Sequence, residues 1–599
     1  MIYHCEDHTC NYWDEGEKLP ERCPQCGRKL LRANEADMTG DDWTALGNTL
    51  WDAEASDKKR MVDCFRKAAY LGSAWGVCNL GICMEQGNGV EADPVQAFWL
   101  YQQAVEMGSL NAVCCLGVCY QYGIGTAPDA KQAAELYCKA AEYGSPRGQM
   151  LLARAFHDGI GVEADAAEAM HWVRAAAYQR YGEGMHRLGV CYEYGDGVEQ
   201  NWERAVHWFR EAAESGVSVA MADLGYCYEK GCGVEQSWEQ AFSWYRRGAE
   251  CGYPVSMSNL GLCYKRGYGV EQNWQEAIKW YEQGAQCGDL QSMHNLARCY
   301  ERGEGVEQNE ERALYWYRRS AEGGNGVAMC NLGWCYQRGY GVEQNEDRAL
   351  YWYRRGAEAG SVYCMFYLGW NYSNGVGVKQ NMTEAIRWYT AAAEGGNADA
   401  MHNLGWHYDH GEGVEQDMKK AICWYERAAE QNHPAAMNSL GECYAMGRGV
   451  PRDLETAMEW YRRAAELGEA MADYNMGWHL EQAGKLSEAY AHYRKAADGN
   501  DDSAWWALGR FYENGVVVAQ DGKEARRCYE TGEKLGSVKC KMRLARCKLL
   551  GIGGRRAKKA GLDLCRQALE LAKESSEKED YGYEAEMNLL RRTIAENES

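Results

Sequence analysis

Apolar and small residues recur along most of this chain at helical spacing, in pairs of short runs separated by glycine-rich turns. Ala328, Met329, Leu332, Gly333, Cys335 and Tyr336 share one face of a predicted helix that ends at Arg338, before Gly339 as a C-cap. Val342 then tucks into the joint, and Asn345 caps a second helix. In that helix Ala349, Trp352, Tyr353 and Ala357 repeat at three- and four-residue intervals until Gly360. Small residues at Gly333, Ala349 and Ala357 let the two helices approach closely. Neither helix can bury its stripe alone, so stability must come from stacked neighbours.

The pattern repeats. Gly-x-Gly recurs at 87/89, 123/125, 159/161, 195/197, 231/233, 267/269, 303/305, 339/341, 375/377, 411/413 and 447/449, always 36 residues apart. Taken alone, a stretch such as GYGVEQN from Gly267 to Asn273 resembles the start of a phosphate-cradling loop. A dinucleotide fingerprint, however, needs a third glycine and a preceding strand. Here Gln272 or Gln344 stands at the third position and a helix precedes. The glycine loop is therefore a repeat joint.

These residues carry a resemblance to a known family. The pattern A-x-x-N-L-G-x-x-Y-x-x-G-x-G-V-x-Q-[ND]-x-x-x-A-x-x-W-Y-x-x-A-A-x-x-G is similar to the Sel-1-like repeat, a relative of the tetratricopeptide repeat. Its marker leucines Leu80, Leu116, Leu188, Leu224, Leu260, Leu332, Leu368, Leu404 and Leu440 each precede a glycine, and Leu152 and Leu296 precede alanine. The match covers roughly residues 70 to 555. It implies an all-α fold: a right-handed α/α superhelical solenoid of about 14 helix pairs. The expected organisation is a zinc-ribbon-like module at 1–37, a divergent capping repeat at 38–75 around Leu46, repeats over 76–556, and capping helices with a charged tail at 557–599. After Met476 the joint shortens to AGKLSEA, and Gly515 to Val518 and Gly551 to Gly554 are degraded copies, as terminal repeats should be.

Ahead of the repeats, Cys5, Cys10, Cys23 and Cys26 form C-x4-C-x12-C-x2-C, and CPQCG is the tight knuckle in which two thiolates meet one tetrahedral zinc. A structural Zn2+ on these four cysteines is expected, with His4 or His8 as an alternative for one ligand of the looser first pair. So short a module cannot build an adequate core, so metal binding would supply its folding energy. Four protein ligands leave no open position for catalysis.

Composition narrows the functions. The formal net charge of −22 repels nucleic acid, and Arg22, Arg28, Lys29 and Arg32 in the small module are the one basic cluster that could serve a nucleic-acid-associated scaffold. No run of eighteen apolar residues is present, so membrane insertion is not expected. The start, MIYHCEDHTC, has neither a basic n-region nor an apolar h-region, which favours a cytoplasmic, reducing location for the 27 cysteines. Nine of these take one repeat position, three residues after the marker leucine: Cys83, Cys119, Cys191, Cys227, Cys263, Cys299, Cys335, Cys443 and Cys547. That position lies about 60° from the leucine on the buried side, where cysteine acts as a small hydrophobe. A secreted branch of the family uses paired cysteines for a disulfide in each repeat, but most repeats here lack the second one.

Catalytic constellations are missing from the chain. Ser56/Lys59 and Ser575/Lys578 have the S-x-x-K spacing that the family's β-lactamase-like assignments would need, without S-D-N or K-T-G companions. No G-x-S-x-G or H-E-x-x-H occurs. His402, His407 and His410 share one helix, yet His407 and His479 occupy the core position otherwise held by cysteine. The Trp-Tyr pairs of the second helices, from Trp208/Phe209 to Trp460/Tyr461, run in phase with the alanines and read as core.

A protein-binding face is the positive expectation. Two residues after the marker leucine lies about 200° around the helix from it, away from the packed side. Tyr226, Trp334, Trp370, Trp406 and Trp478 stand there, with Arg266, Arg302 and Arg338 at helix ends and Asn295, Asn331 and Asn403 beside the leucines. Exposed apolar groups rimmed by polar ones mark interaction sites. The chain thus reads as a non-enzymatic adaptor for a peptide or protein with apolar anchors and acidic groups.

Overall fold

A computed structural model of the chain describes residues 2–5, 13–15, 30–33, 38–51, 55–578 and 583–598. They divide into two compact units, 1–309 and 310–599. In the first, β1 (Ile2–Cys5) pairs antiparallel with both β2 (Trp13–Glu15) and β3 (Leu30–Ala33). Cys10, Cys23 and Cys26 lie outside the described residues, as do Arg22, Arg28 and Lys29.

Helix hairpins make up the rest of the first unit. α1 (Gly40–Thr49) pairs with α2 (Ala55–Tyr70), α3 (Ala74–Gln86) with α4 (Pro94–Glu106), and α5 (Leu110–Tyr122) with α6 (Ala130–Glu142). α7 (Pro146–Asp158) pairs with α8 (Ala166–Tyr178), α9 (Gly182–Tyr194) with α10 (Trp202–Glu214), and α11 (Ser218–Lys230) with α12 (Trp238–Glu250). α13 (Pro254–Arg266) pairs with α14 (Trp274–Gln286), and α15 (Leu290–Arg302) follows.

The second unit begins with α16 (Glu310–Glu322). α17 (Gly326–Arg338) pairs with α18 (Glu346–Glu358), α19 (Val362–Asn374) with α20 (Met382–Glu394), and α21 (Ala398–His410) with α22 (Met418–Glu430). α23 (Pro434–Met446) pairs with α24 (Leu454–Glu466), α25 (Ala470–Gln482) with α26 (Leu486–Asp498), and α27 (Asp502–Asn514) with α28 (Gly522–Lys534). α29 (Val538–Leu550) pairs with α30 (Lys558–Lys578), and α31 (Glu584–Glu598) lays Met587 and Leu590 against Met542, Leu549 and Cys565 of that last pair.

One hairpin shows why the sequence folds this way. α17 ends at Gly339, whose φ of 72° is left-handed, and its N–H returns to the Cys335 carbonyl. Asn345 starts α18 by accepting from the Arg348 N–H at 2.9 Å. The second glycine of the joint has a different task. Gly341 rests on the start of α16 so closely that a Cβ would stand 2.8 Å from the Glu310 carbonyl oxygen. Inside the hairpin, Gly333 faces the ring of Tyr353, a fully buried side chain whose hydroxyl donates to Gln337 Oε1 at 2.9 Å. The same glycine–tyrosine contact joins α11 to α12 through Gly225 and Tyr245, and α23 to α24 through Gly441 and Tyr461. All nine cysteines of the predicted core position are buried.

The Trp-Tyr pairs divide. Phe209, Tyr245, Tyr281, Tyr317, Tyr353, Tyr389, Tyr425 and Tyr461 are core, as are Trp244 and Trp352, but Trp208, Trp280, Trp316, Trp388, Trp424 and Trp460 are only half-buried. One residue is about 100° of helix, which turns the tryptophan onto the flank of the hairpin. There an arginine three residues on covers several of them: Arg427 lies 4.4 Å over Trp424, and Arg463 4.4 Å over Trp460.

Candidate functional site

The predicted aromatic face lies in the second unit. Trp334, Trp370, Trp406 and Trp478 project from α17, α19, α21 and α25 at one repeat position. Trp406 and Trp478 are 39% and 38% exposed, while Trp334 and Trp370 are half-buried. Local contacts orient each ring. Trp334 tilts against Tyr340 at 5.6 Å, and Trp406 stacks on His410 at 4.3 Å. Trp370 packs against the adjoining core, and Trp478 meets the edge of His479 at 4.7 Å. Among the described residues, no ring contact links one of these tryptophans to the next. The face is a series of rings one repeat apart.

On α23 the equivalent position holds Glu442, which interrupts the series. Its Oε1 accepts from Asn438 and from Asn475 of α25, both at 3.2 Å, and Asn475 also donates to Asn438 at 3.0 Å. Burial pushes the Glu442 carboxyl above the usual range, against the pull of Arg448 and the two amides.

The predicted polar residues fall in both units. Arg338 is exposed at the end of α17, and Asn331 and Asn403 are half-buried. In the first unit Tyr226 is 44% exposed under the Lys230 ammonium, 5.8 Å from its ring centre. Arg266 is exposed there, Arg302 pairs loosely with Glu304 at 3.9 Å, and Asn295 accepts from Gln291 at 3.2 Å.

The histidines of α21 part company. His407 is buried and donates to the Glu412 carbonyl at 3.0 Å, whereas His410 lies outside on Trp406. His402 stacks on His433 at 5.1 Å, and burial holds it well below the usual range, at about 4. Among the described residues, no three His, Cys, Asp or Glu side chains converge on a metal position. The side chains of Ser56 and Ser575 lie outside the described residues.

Two cavities escaped the sequence reading. One, of about 340 Å³, opens between α7, α8 and α9, over Met150, Ala169, Met170 and Val173, with Arg154 and Glu183 at its rim. Its sequence signal is Ala166, which starts α8 where Trp202, Trp238 and Trp274 start the next three second helices. The joint there is also loose: a Cβ on Gly197 would stand 3.2 Å from the Ala166 carbonyl. The other, of about 710 Å³, lies between α24, α25 and α26, where the shortened joint leaves Glu455, Glu459, Glu466 and Glu488 at its edge beside Arg462 and Lys495.

Stacked 36-residue helix hairpins with two joint glycines, a buried tyrosine and an uncovered first-helix face define a class of repeat protein. The Sel1 repeat model matches at residues 76–109, 112–145, 146–181, 182–217, 218–253, 254–289, 290–325, 326–361, 362–397, 398–433, 434–469, 470–501 and 504–537, and the chain belongs to this family. The repeat at 326–361 coincides with α17 and α18.

Among solved structures, the chain is similar to c5321, a protective antigen of uropathogenic Escherichia coli strains displaying an SLR fold. They are 32% identical over 75% of this chain and 97% of that one, with a TM-score of 0.50. It is also similar to a Sel1 repeat protein from Oxalobacter formigenes, 32% identical over 41% of this chain and 96% of that one, with a TM-score of 0.38. No match was found among curated proteins. Among the described residues, no helix is long and apolar enough to cross a membrane.

Proposed function

We propose that the chain is a non-enzymatic scaffold that binds a partner protein through the aromatic face of its second unit. The observation that carries this reading is the exposure of Trp406 and Trp478 at a repeat position that the core does not use. Burying such rings against a partner yields the large, rigid contacts typical of interface hot spots. The one-repeat interval between Trp334, Trp370 and Trp406 suits a segment that offers one apolar side chain per repeat. The exposed Arg338 suits an acidic group on that segment. In the first unit, Tyr226, Arg266 and Arg302 form a separate, more basic contact.

A reducing, cytoplasmic setting fits the abundance of cysteine at core positions. Cys5, Cys10, Cys23 and Cys26 would hold a structural zinc, a reading supported by the two-residue knuckle spacing. Metal analysis of the purified chain should find one equivalent of zinc, lost on replacing Cys23 and Cys26 by serine.

The partner reading is tested with the intact chain and a Trp334→Ala/Trp370→Ala/Trp406→Ala variant of equal helicity. A protein retained by the first and lost from the second supports the scaffold; equal retention by both removes the face from consideration.

A further inference from the structure

Three successive first helices of the first unit converge on a pair of thiols that the partner-binding reading leaves unused. Cys78 of α3 is fully buried and Cys115 of α5 is 5% exposed. Cys78 and Cys115 act on one another across the seam between these helices. Asn111, one turn before Cys115, directs its Nδ2 to Cys78 Sγ at 3.6 Å. Arg147 of α7 closes the ring: Nη1 donates to Asn111 Oδ1 at 2.7 Å and to Cys115 Sγ at 3.6 Å.

Arg147 is half-buried, and among the described residues no carboxylate pairs with it; the groups acting on it are Cys115, Cys114 and Cys78. An inward-held cation without a counter-ion is costly. A thiolate on Cys115 removes that cost. The neighbouring Cys78 thiol draws the Cys115 thiol below the ordinary range; burial opposes this, Arg147 assists, and the nearby Glu85 carboxylate opposes. Tyr101 of α4, bonded to Glu85 at 2.6 Å, and Cys114, 3.8 Å from Ser145 Oγ, complete the surrounding titratable groups.

We propose that Cys78 and Cys115 form a redox-active dithiol in which Cys115 attacks hydrogen peroxide and Cys78 resolves the product into a disulfide between successive repeats. The Cys115 thiolate attacks one peroxide oxygen, the O–O bond breaks, and the leaving hydroxide takes a proton to become water. Cys78 then attacks the sulfenic sulfur, the S–O bond breaks, and the second water leaves with the Cys78 proton. Overall, two thiols and one peroxide give one disulfide and two waters.

A second pair serves as an internal control. Cys330 of α17 and Cys364 of α19 are also buried neighbours, but Cys364 Sγ donates to the Gly326 carbonyl at 3.6 Å, Ser361 is the polar neighbour, and no guanidinium acts on them.

The test treats the full-length protein with about one equivalent of peroxide at about pH 7, then blocks free thiols and maps linked peptides by mass spectrometry. The Cys78–Cys115 link should form at least roughly tenfold faster than Cys330–Cys364, and Arg147→Gln should slow it by roughly tenfold at about pH 7 and little at about pH 9. Arg147→Lys, which keeps the charge, should restore much of the rate. In Cys78→Ser, dimedone should label Cys115. The proposal is overturned if the exposed Cys251, Cys287 and Cys423 oxidise while Cys78 and Cys115 stay reduced. Equal rates for the parent and Arg147→Gln across that pH range overturn the role of the guanidinium.

Discussion

Replacing Gly333 by alanine strikes the closest contact inside a repeat. The new Cβ would stand 2.6 Å from Tyr353 Cε1, 2.8 Å from Cδ1 and 3.0 Å from Cζ, against an ordinary carbon separation of about 3.5–4.0 Å. The ring cannot easily retreat. Its hydroxyl is held by Gln337, and its face stacks on Tyr367 at 5.2 Å and 7°. Overpacking of this kind costs about 1–3 kcal/mol. Alanine returns up to about 1 kcal/mol through helix propensity. With the ring held on two sides the overpacking cost falls in the upper part of its range, about 2–3 kcal/mol, so the net loss is about 1–2 kcal/mol and local opening increases roughly five- to thirtyfold. Hydrogen exchange read by mass spectrometry should show that increase in α17 and α18, with α27 and α28 unchanged. In a Tyr353→Leu background, which removes the opposing ring carbons, Gly333→Ala should become neutral or protective. Unchanged or slower exchange in the single variant would refute the contact argument, since propensity alone predicts slowing.

Two tyrosines at one repeat position should answer removal of the hydroxyl with opposite signs. Tyr245 donates to Glu229 at 2.8 Å, so Tyr245→Phe should cost about 1 kcal/mol. The buried Tyr281 hydroxyl has no partner, because Lys265 at the matching place turns to Glu304 at 2.7 Å, so Tyr281→Phe should be neutral or stabilising in denaturant melts. His294 is 4% exposed, and burial lowers it to about 4. Its unfolded form takes up a proton first, so stability is lost as pH falls from about 6.5 to about 4, by up to about 3 kcal/mol, and His294→Asn should flatten that part of the profile. Arg448 pairs at 2.8 Å with Asp409, whose side chain is 4% exposed. Arg448→Met should cost about 3–5 kcal/mol by leaving a buried carboxylate unpaired, and adding Asp409→Asn should recover part of it in thermal melts.

The helix hairpins were legible because three signals coincide in each repeat: a 3.6-residue apolar stripe, a glycine C-cap and a polar N-cap. Val342, Gly339 and Asn345 mark one joint in three residues, and the structure turns there. Periodicity was less able to divide adjacent residues. It grouped Trp424 with Tyr425, although only the tyrosine is core and Arg427 covers the tryptophan. Trp406 and Trp478 are exposed as helical phase implies, while Glu442 between them is hydrogen-bonded to Asn438 and Asn475, a bond network that spans two repeats. The α7–α9 cavity is invisible to the same reasoning: Ala166 is an ordinary helix residue until it is compared with Trp202, Trp238 and Trp274, which start the next three second helices. Arg147 likewise reads as a solvated charge until three helices place it beside Cys115.

The joints between hairpins bear on how such a chain can change length. Gly248 of α12 faces the Cβ of Ser256 at the start of α13, at 3.0 Å from where its own Cβ would be, and Gly284 of α14 faces Ser292 of α15 in the same way at 2.9 Å. An in-frame loss of residues 254–289 would therefore set Gly248 against Ser292, a junction chemically equivalent to both that it replaces. Gain of a copy would be equally silent to the packing. For a gene encoding segments that share one 36-residue pattern, unequal recombination becomes a change of reach, adding or removing one rung of surface without requiring a new core.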